Sequence, residues 1–452
     1  MISKKLILLA VFLTIVIVII FAVLPFPQGN KTNDDLSSSQ TLKSDQVQVV
    51  DKNYQTSVSS EQADNLQTEL LFARRNQDPK ETTGIISTTL ATMLDRMNSG
   101  QISSVQDLAS VRLHIDDADR VQVYIELFDS SSAQISELRA LGLEVELIND
   151  NLKMVQGWIF YENISELASL GNVSQIKLPN YAMSNRGSRM TEGDRLLLAD
   201  KLRSMGYSGK GVKIGIISDG GNDIADAIAT NDLPNDVKRF GSCSERSANR
   251  SQCRPQWTCN EGTAIAEIVH DIAPDASLAI GAVGTSLEFI ERVNDLSTRF
   301  DADVIVDDLG FFNEPFFADG AIANAVSNVA DEIVYVSAAG NSADTHYEAE
   351  FKALSYLGGN LHNFSNSSAS DPAMDIEILP DGYVVAILQW NDRFGSSSND
   401  YDIGLVDFSE TQILASSEDL QAGSHDPIEA FCYHNNSSSA QRVKLAVELY
   451  AG

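Results

Sequence analysis

Three stretches decide the fold: residues 209–221, GKGVKIGIISDGG; residues 260–276, NEGTAIAEIVHDIAPDA; and residues 333–342, IVYVSAAGNS. KIGIIS and IVYVSA are apolar throughout, as strands buried on both faces are. AIAEIVHDIA between them has apolar residues at helical spacing. The same alternation continues in LAIGAV (278–283), LEFIERVNDLS (287–297), DVIVDDLG (303–310) and AIANAVSNVA (321–330). Apolar strands separated by amphipathic helices predict an α/β core over 193–358, with a parallel, doubly wound sheet covered on both faces. Such sheets bind ligands at the carboxyl ends of their strands. Asp219, Gly310 and Asn341 each follow an apolar run, which puts all three at one edge of that sheet.

In this order the three blocks resemble the first three catalytic blocks of the subtilisin-like serine proteases, the subtilases. The resemblance covers residues 120–355. It implies that Asp219 stands at the position of the triad Asp and Asn341 at that of the oxyanion-hole Asn. It implies that Asp308, Leu309 and Gly310 stand where a Ser-Leu-Gly segment pairs its backbone with an extended substrate. Two residues depart from the pattern, Asp308 and Glu261, the latter at the position of the triad His. The fourth block, Gly-Thr-Ser-x-x-x-Pro with the nucleophile, does not occur in these 452 residues.

Serine-type hydrolysis needs a nucleophile, a base, a group that orients the base, and oxyanion donors. Asp219 would orient, and the Asn341 side chain would donate to the oxyanion, a contact worth about 3–4 kcal/mol. Two readings of Glu261 stand. It acts as the base, as Glu does in the related sedolisins, with acidic conditions favoured by the neighbouring carboxylate; or the catalytic base is lost. The sedolisin match is partial, because the position four residues on is Ile265 rather than Asp, and that group has Asp where this chain has Asn341. His270 is half a rotation and ~13 Å along the helix from Glu261, too far to substitute. His346 follows the Asn341 loop, but nothing in the sequence brings it to the site. Gly284-Thr285-Ser286 precedes the Asn block and lacks the Pro, so Ser286 reads as an N-cap for the helix after it.

Before the core, residues 105–185 read β-α-β-β-α-β, a ferredoxin-like α+β domain. In that place it resembles the subtilase propeptide, which chaperones folding and inhibits the enzyme. After the core, short alternating strands over 360–452 predict an antiparallel β-sandwich whose last strand ends without a closing loop, as though cut. Residues 6–24, LILLAVFLTIVIVIIFAVL, carry no charge and are long enough to cross a bilayer as a helix. Lys4 and Lys5 before them predict an anchor spanning residues 1–27, with a cytoplasmic N-terminus and an extracytoplasmic body. Residues 28–104 read as a polar stalk with helical segments. Cys243, Cys253 and Cys259 cluster before Glu261 and are disulfide candidates outside the cytoplasm.

The chain has 63 acidic and 32 basic residues, a formal charge of −31. That balance disfavours nucleic acid and anionic lipid surfaces as partners. No phosphate loop, zinc motif or basic stripe occurs. Subtilases often bind calcium, but no complete site is legible; Asp400 and Asp402 read as turn-solvating residues. Three functions remain open on the sequence. The first is a membrane-anchored extracytoplasmic endopeptidase acting on peptide or protein substrates, its sequence truncated before the nucleophilic Ser. The second is an inactive relative that binds extended peptides. The third is a surface adhesion protein using the sandwich.

Overall fold

The computed structural model describes residues 15–23, 84–99, 113–116, 118–181, 193–243, 259–342 and 345–452. These fall into two compact units, one built from 84–342 and the other from 15–23 with 345–452. Along the chain, β1 (Ile15–Val23) is followed by α1 (Thr88–Asn98), β2 (Arg120–Leu127), α2 (Ser132–Ala140), β3 (Glu144–Asn149), β4 (Met154–Phe160), α3 (Ile164–Ala168) and β5 (Val173–Lys177).

The four strands β2–β5 form an antiparallel sheet in the order β3-β4-β2-β5 with α2 and α3 as its crossovers. This is the ferredoxin-like connection expected from the sequence. Its core is aliphatic, with Val121, Val123, Ile125, Leu138, Val155, Ile159, Ile164 and Leu167 all buried. The stalk expectation needs correction at its end. Helix α1 buries Leu90, Met93 and Leu94 in this same core, and Ile86 bridges Ile176 of β5. Residues 84–99 therefore belong to the α+β layer, because the apolar face of α1 has a sheet to cover. Residues 28–83 lie outside the described set.

The parallel core follows: α4 (Gly193–Leu196), α5 (Ala199–Ser204), β6 (Lys213–Ser218), α6 (Ile224–Ala229), β7 (Lys238–Phe240), α7 (Glu261–Ile272), β8 (Ser277–Ala282), α8 (Ser286–Asn294), β9 (Val304–Asp307), α9 (Ala321–Ser327) and β10 (Val334–Ser337). The order is β10-β9-β6-β8-β7, every pair parallel. Successive residues of β6 face opposite sides. Ile217 packs with Phe289 and Val293 of α8, whereas Ile216 packs with Ala227 of α6 and Ala266 of α7. Both faces are covered over β6 and β8, which is why they read as continuous apolar runs; β10 reads the same way, but its Val334 and Val336 are exposed.

The second unit is an antiparallel sandwich of two sheets. One is β11 (His346–Glu350), β1, β15 (Tyr383–Trp390) and β18 (Ile428–His434) in that spatial order. The other runs β12 (Ala353–Tyr356), β13 (Gly359–His362), β19 (Gln441–Ala451), β16 (Asp400–Asp407) and β17 (Ile413–Ser417), with β14 (Met374–Ile378) also on β19. The strands start at His346, within the span expected for the α/β core, and β19 lies inside its sheet between other strands. Asp400 and Asp402 are buried within β16 and do not solvate a turn.

The expected membrane helix is corrected over 15–23. These residues are a strand paired antiparallel to β11 and β15, from Val16 opposite Trp390 to Val23 opposite Tyr383. The β-branched run Ile15–Ile20 favours extended backbone, and a continuous apolar run does not by itself distinguish strand from helix. Among the described residues no helix is long and apolar enough to cross a membrane. Residues 6–14 lie outside them.

Candidate active site

The carboxyl ends of β6, β9 and β10 lie side by side, because Ile217 pairs with Asp307 and Asp307 with Ser337. Asp219 leaves β6 fully buried. One of its carboxylate oxygens accepts the backbone N–H of Glu261, the first residue of α7, at 2.9 Å. A helix N-terminus presents unsatisfied N–H groups and favours negative charge, so this contact holds Asp219 and fixes the start of α7 together. Glu261 is itself 7% exposed. Two buried acidic residues, 42 apart in sequence, are thereby joined through the Glu261 backbone N–H at the edge of the sheet.

Glycines allow the approach. A Cβ on Gly262 would stand 2.2 Å from the carbonyl oxygen of Gly220. A Cβ on Gly220 would stand 2.7 Å from the carbonyl oxygen of Cys259. Thr263 Oγ1 donates to the Asn222 carbonyl at 2.5 Å, and Asn260 Nδ2 donates to Asp223 at 3.0 Å. Cys243 and Cys259 form a disulfide beside this turn; Cys253 lies outside the described residues.

Asp308 adds a third carboxyl. Burial pushes it up to about 6, opposed by the neighbouring Ser218 hydroxyl and reinforced by the charges of Asp219 and Asp307. Asp307 is raised by burial too, although Ser337 donates to it at 2.9 Å. The sequence showed Asp308 only as a departure in a substrate-binding segment. The parallel register of β6 and β9 makes it a neighbour of Ser218 and Asp219, and nothing local in the sequence signals that. Leu309 and Gly310 follow it on the same edge, and a Cβ on Gly310 would meet nothing nearer than the Phe312 ring at 3.8 Å.

Asn341 lies beyond the end of β10 and is exposed. Among the described residues no hydrogen bond joins it to Asp219 or Glu261. His270 stays near the far end of α7, and His346 begins β11 of the other unit.

The α+β layer meets the core at the start of α8. Thr285, not Ser286, is the N-cap, and it forms a capping box with Glu288. Thr285 Oγ1 also donates to Gln156 at 2.9 Å, and Leu287 N–H donates to Tyr124 Oη at 3.1 Å. Beyond β5 the chain runs alongside this turn. Tyr181 bridges Thr285 antiparallel, Ser286 N–H donates to the Asn180 carbonyl at 2.9 Å, and Asn180 Nδ2 donates to Glu314 at 3.1 Å. The Tyr181 ring is buried and stacked on His114. Thr285→Val removes both the cap and the bond to Gln156. It should destabilise the 84–342 unit by about 1–2 kcal/mol in urea unfolding, whereas Thr285→Ser should cost a fraction of that.

No family model matches the chain, and no curated protein matches it. Solved structures with partial likeness include the epidermin leader peptide processing serine protease EpiP of Staphylococcus aureus. A serine-to-alanine mutant of that enzyme aligns at 14% identity and a TM-score of 0.31, over 42% of this chain and 51% of that one. The unsubstituted form aligns at 14% and 0.31, over 49% and 60%. Fervidolysin of Fervidobacterium pennivorans, a keratinolytic enzyme related to subtilisin, aligns at 13% and 0.28, over 73% and 55%. The chain spans about half to three fifths of the length of these proteins.

Proposed function

We propose that this chain carries the peptide groove and the carboxylate base of a subtilisin-like serine-type endopeptidase acting on extended polypeptide outside the cytoplasm. The observation that carries the reading is the bond from Glu261 N–H to Asp219. It joins the first two of the three sequence blocks at the edge of the sheet where such folds place their chemistry. In this reading Glu261 takes the proton of an attacking serine hydroxyl, and Asp219 holds the start of α7, and so Glu261, in place. Asn341 and backbone N–H groups receive the oxyanion, and 308–310 pair with the substrate strand. The serine belongs to a Gly-Thr-Ser-x-x-x-Pro block that these 452 residues do not contain. Peptide binding at the groove needs no such residue.

The antiparallel run of Asn180 and Tyr181 along Thr285 and Ser286 supports a groove that accepts extended backbone. The propeptide-like role of the α+β layer is part of the same proposal. The extracytoplasmic setting is supported by the Cys243–Cys259 disulfide, since such bonds persist in oxidising compartments. An anchor through residues 6–24 is no part of the proposal, because 15–23 are strand β1.

The test measures binding of a fluorescein-labelled extended peptide to these 452 residues, and its cleavage by the full-length product of the gene, from pH 4 to 8. Gly310→Trp adds a Cβ that meets only the Phe312 ring, in ordinary van der Waals contact, so it should leave the fold intact and weaken binding at least ~10-fold. Cleavage abolished by Glu261→Gln and by Asp219→Asn supports the endopeptidase. Binding sensitive to Gly310→Trp with no cleavage at any pH makes the chain a peptide-binding relative. Binding indifferent to Gly310→Trp, with no cleavage, sinks both.

A further inference from the structure

We propose that the Cys243–Cys259 disulfide positions Glu261 against Asp219, so that the bond from Glu261 N–H to Asp219 is made in the oxidised chain and comes apart when a dithiol reduces the disulfide. The functional consequence rests on the reading above; the geometry does not.

Cys259 lies two residues before Glu261 and is fully buried. Its φ is +58°, in the left-handed region that a residue with a Cβ seldom adopts, so outside constraints must hold it there. Two are visible. Its sulfur is bonded to Cys243, and its carbonyl accepts the Asn222 N–H at 2.8 Å. The Cβ atoms of both cysteines come within 3.0 and 3.1 Å of where a Gly220 Cβ would stand, which sets the disulfide directly on the residue after Asp219. The start of α7 is also held by Thr263 Oγ1 on the Asn222 carbonyl, two residues beyond Glu261. Asn260, its N-cap, makes no side-chain cap bond and directs its amide to Asp223 instead. Glu261 thus stands between Cys259, two residues before it, and Asp219, which accepts its N–H.

Cys243 is half-buried and Cys259 is not exposed, so an incoming thiolate reaches the Cys243 sulfur. One thiolate of the dithiol bonds to Cys243 Sγ, and Cys259 leaves as a thiolate and takes up a proton. The second thiol then closes the reductant's own disulfide and releases Cys243 as a thiol. Two electrons pass from the dithiol to the protein. Cys259 is then free to leave the left-handed region, and the start of α7 can drift from the Gly220 turn.

The experiment is hydrogen exchange of the full chain, resolved to single amides, comparing the native protein with the Cys243→Ser/Cys259→Ser double variant. Substitution isolates this bond, since Cys432 is disulfide-bonded as well. The expected result is exchange of the Glu261 amide at least ~10-fold faster in the variant, with amides 266–270 in the middle of α7 changed less than ~2-fold. Unchanged Glu261 exchange overturns the proposal. So does an equal loss of protection along all of α7, which is what a merely structural bond would give. Should the variant fail to fold, the native chain is titrated with dithiothreitol. Glu261 exchange must then follow reduction of Cys243 and Cys259, scored by alkylation and mass spectrometry, rather than reduction of Cys432. Exchange needs no peptidase activity, so the clamp and the proposed function fail separately. A chain that neither binds nor cleaves peptide still reports on the clamp, and unchanged Glu261 exchange refutes the clamp alone.

Discussion

Asp308→Asn should stabilise the 84–342 unit at neutral pH and leave it unchanged in acid. The carboxyl rises from an ordinary value near 3.8 to about 6 in the folded chain, chiefly through burial. The folded state therefore holds this proton more tightly than the unfolded state does. Between the two values the folded state binds more protons, so stability falls as pH rises through that window and then levels off. Roughly two units correspond to a penalty of up to ~3 kcal/mol, in place above pH 6 and absent below about 3.8. Asparagine keeps a hydrogen-bonding group beside Ser218 and carries no charge towards Asp219. Thermal unfolding at pH 7.5 should show the variant higher by ~5 °C, with the two curves merging towards pH 3.5. A variant that is equally stable at both pH values would mean that Asp308 is hydrated and far from Asp219. The same experiment bears on the acidic preference argued for the site, because it measures directly where the third carboxyl loses its proton.

Gly262→Ala should be among the most damaging single-methyl additions in the core. Its Cβ would lie 2.2 Å from the Gly220 carbonyl oxygen and 3.2 Å from both Ser218 Cβ and the Ile280 side chain. The first of these is backbone, in a turn held by Asn222 N–H on the Cys259 carbonyl, so it cannot rotate away. Alanine gains up to ~1 kcal/mol of helix propensity over glycine, which overpacking of this kind exceeds. A net loss of about 2–3 kcal/mol is expected in urea unfolding, along with a weakened bond from Glu261 to Asp219. Gly310→Ala is the control, since its Cβ meets only van der Waals contacts and should cost little. Equal stabilities for the Gly262 and Gly310 variants would show that α7 does not approach the turn this closely.

Much of the architecture was legible in the sequence because burial leaves a periodic trace. KIGIIS and LAIGAV announce strands covered on two faces, and the turn residues after the runs mark one edge of a parallel sheet; IVYVSA reads alike, yet β10 exposes Val334 and Val336. Alternation in VQVYIELF and KMVQGWIF announces the antiparallel layer. The trace fails for residues 15–23, where a continuous apolar run satisfies a bilayer helix and a sheet strand equally. It fails again for α1, whose apolar face carries no sign of which sheet it covers. At Thr285 and Ser286 both hydroxyls suit an N-cap, and the capping box with Glu288 chose between them.

The sequence by itself determined the order of layers, the sheet edge that gathers Asp219, the 308–310 segment and Asn341, and the candidacy of Glu261 as a base. The first two follow from local periodicity and from which residues end each run, and the third is what the resemblance to subtilases and sedolisins implies. Only the tertiary structure decided that Glu261 N–H meets Asp219, that Asp308 stands beside Ser218, that Cys243 rather than Cys253 bonds to Cys259, and that Tyr181 lies along Thr285. The first three depend on the register between parallel strands or on close approach at Gly220 and Gly262, and the last on an isolated antiparallel bridge. Such contacts join residues tens of positions apart, and hydrophobic pattern carries no record of them.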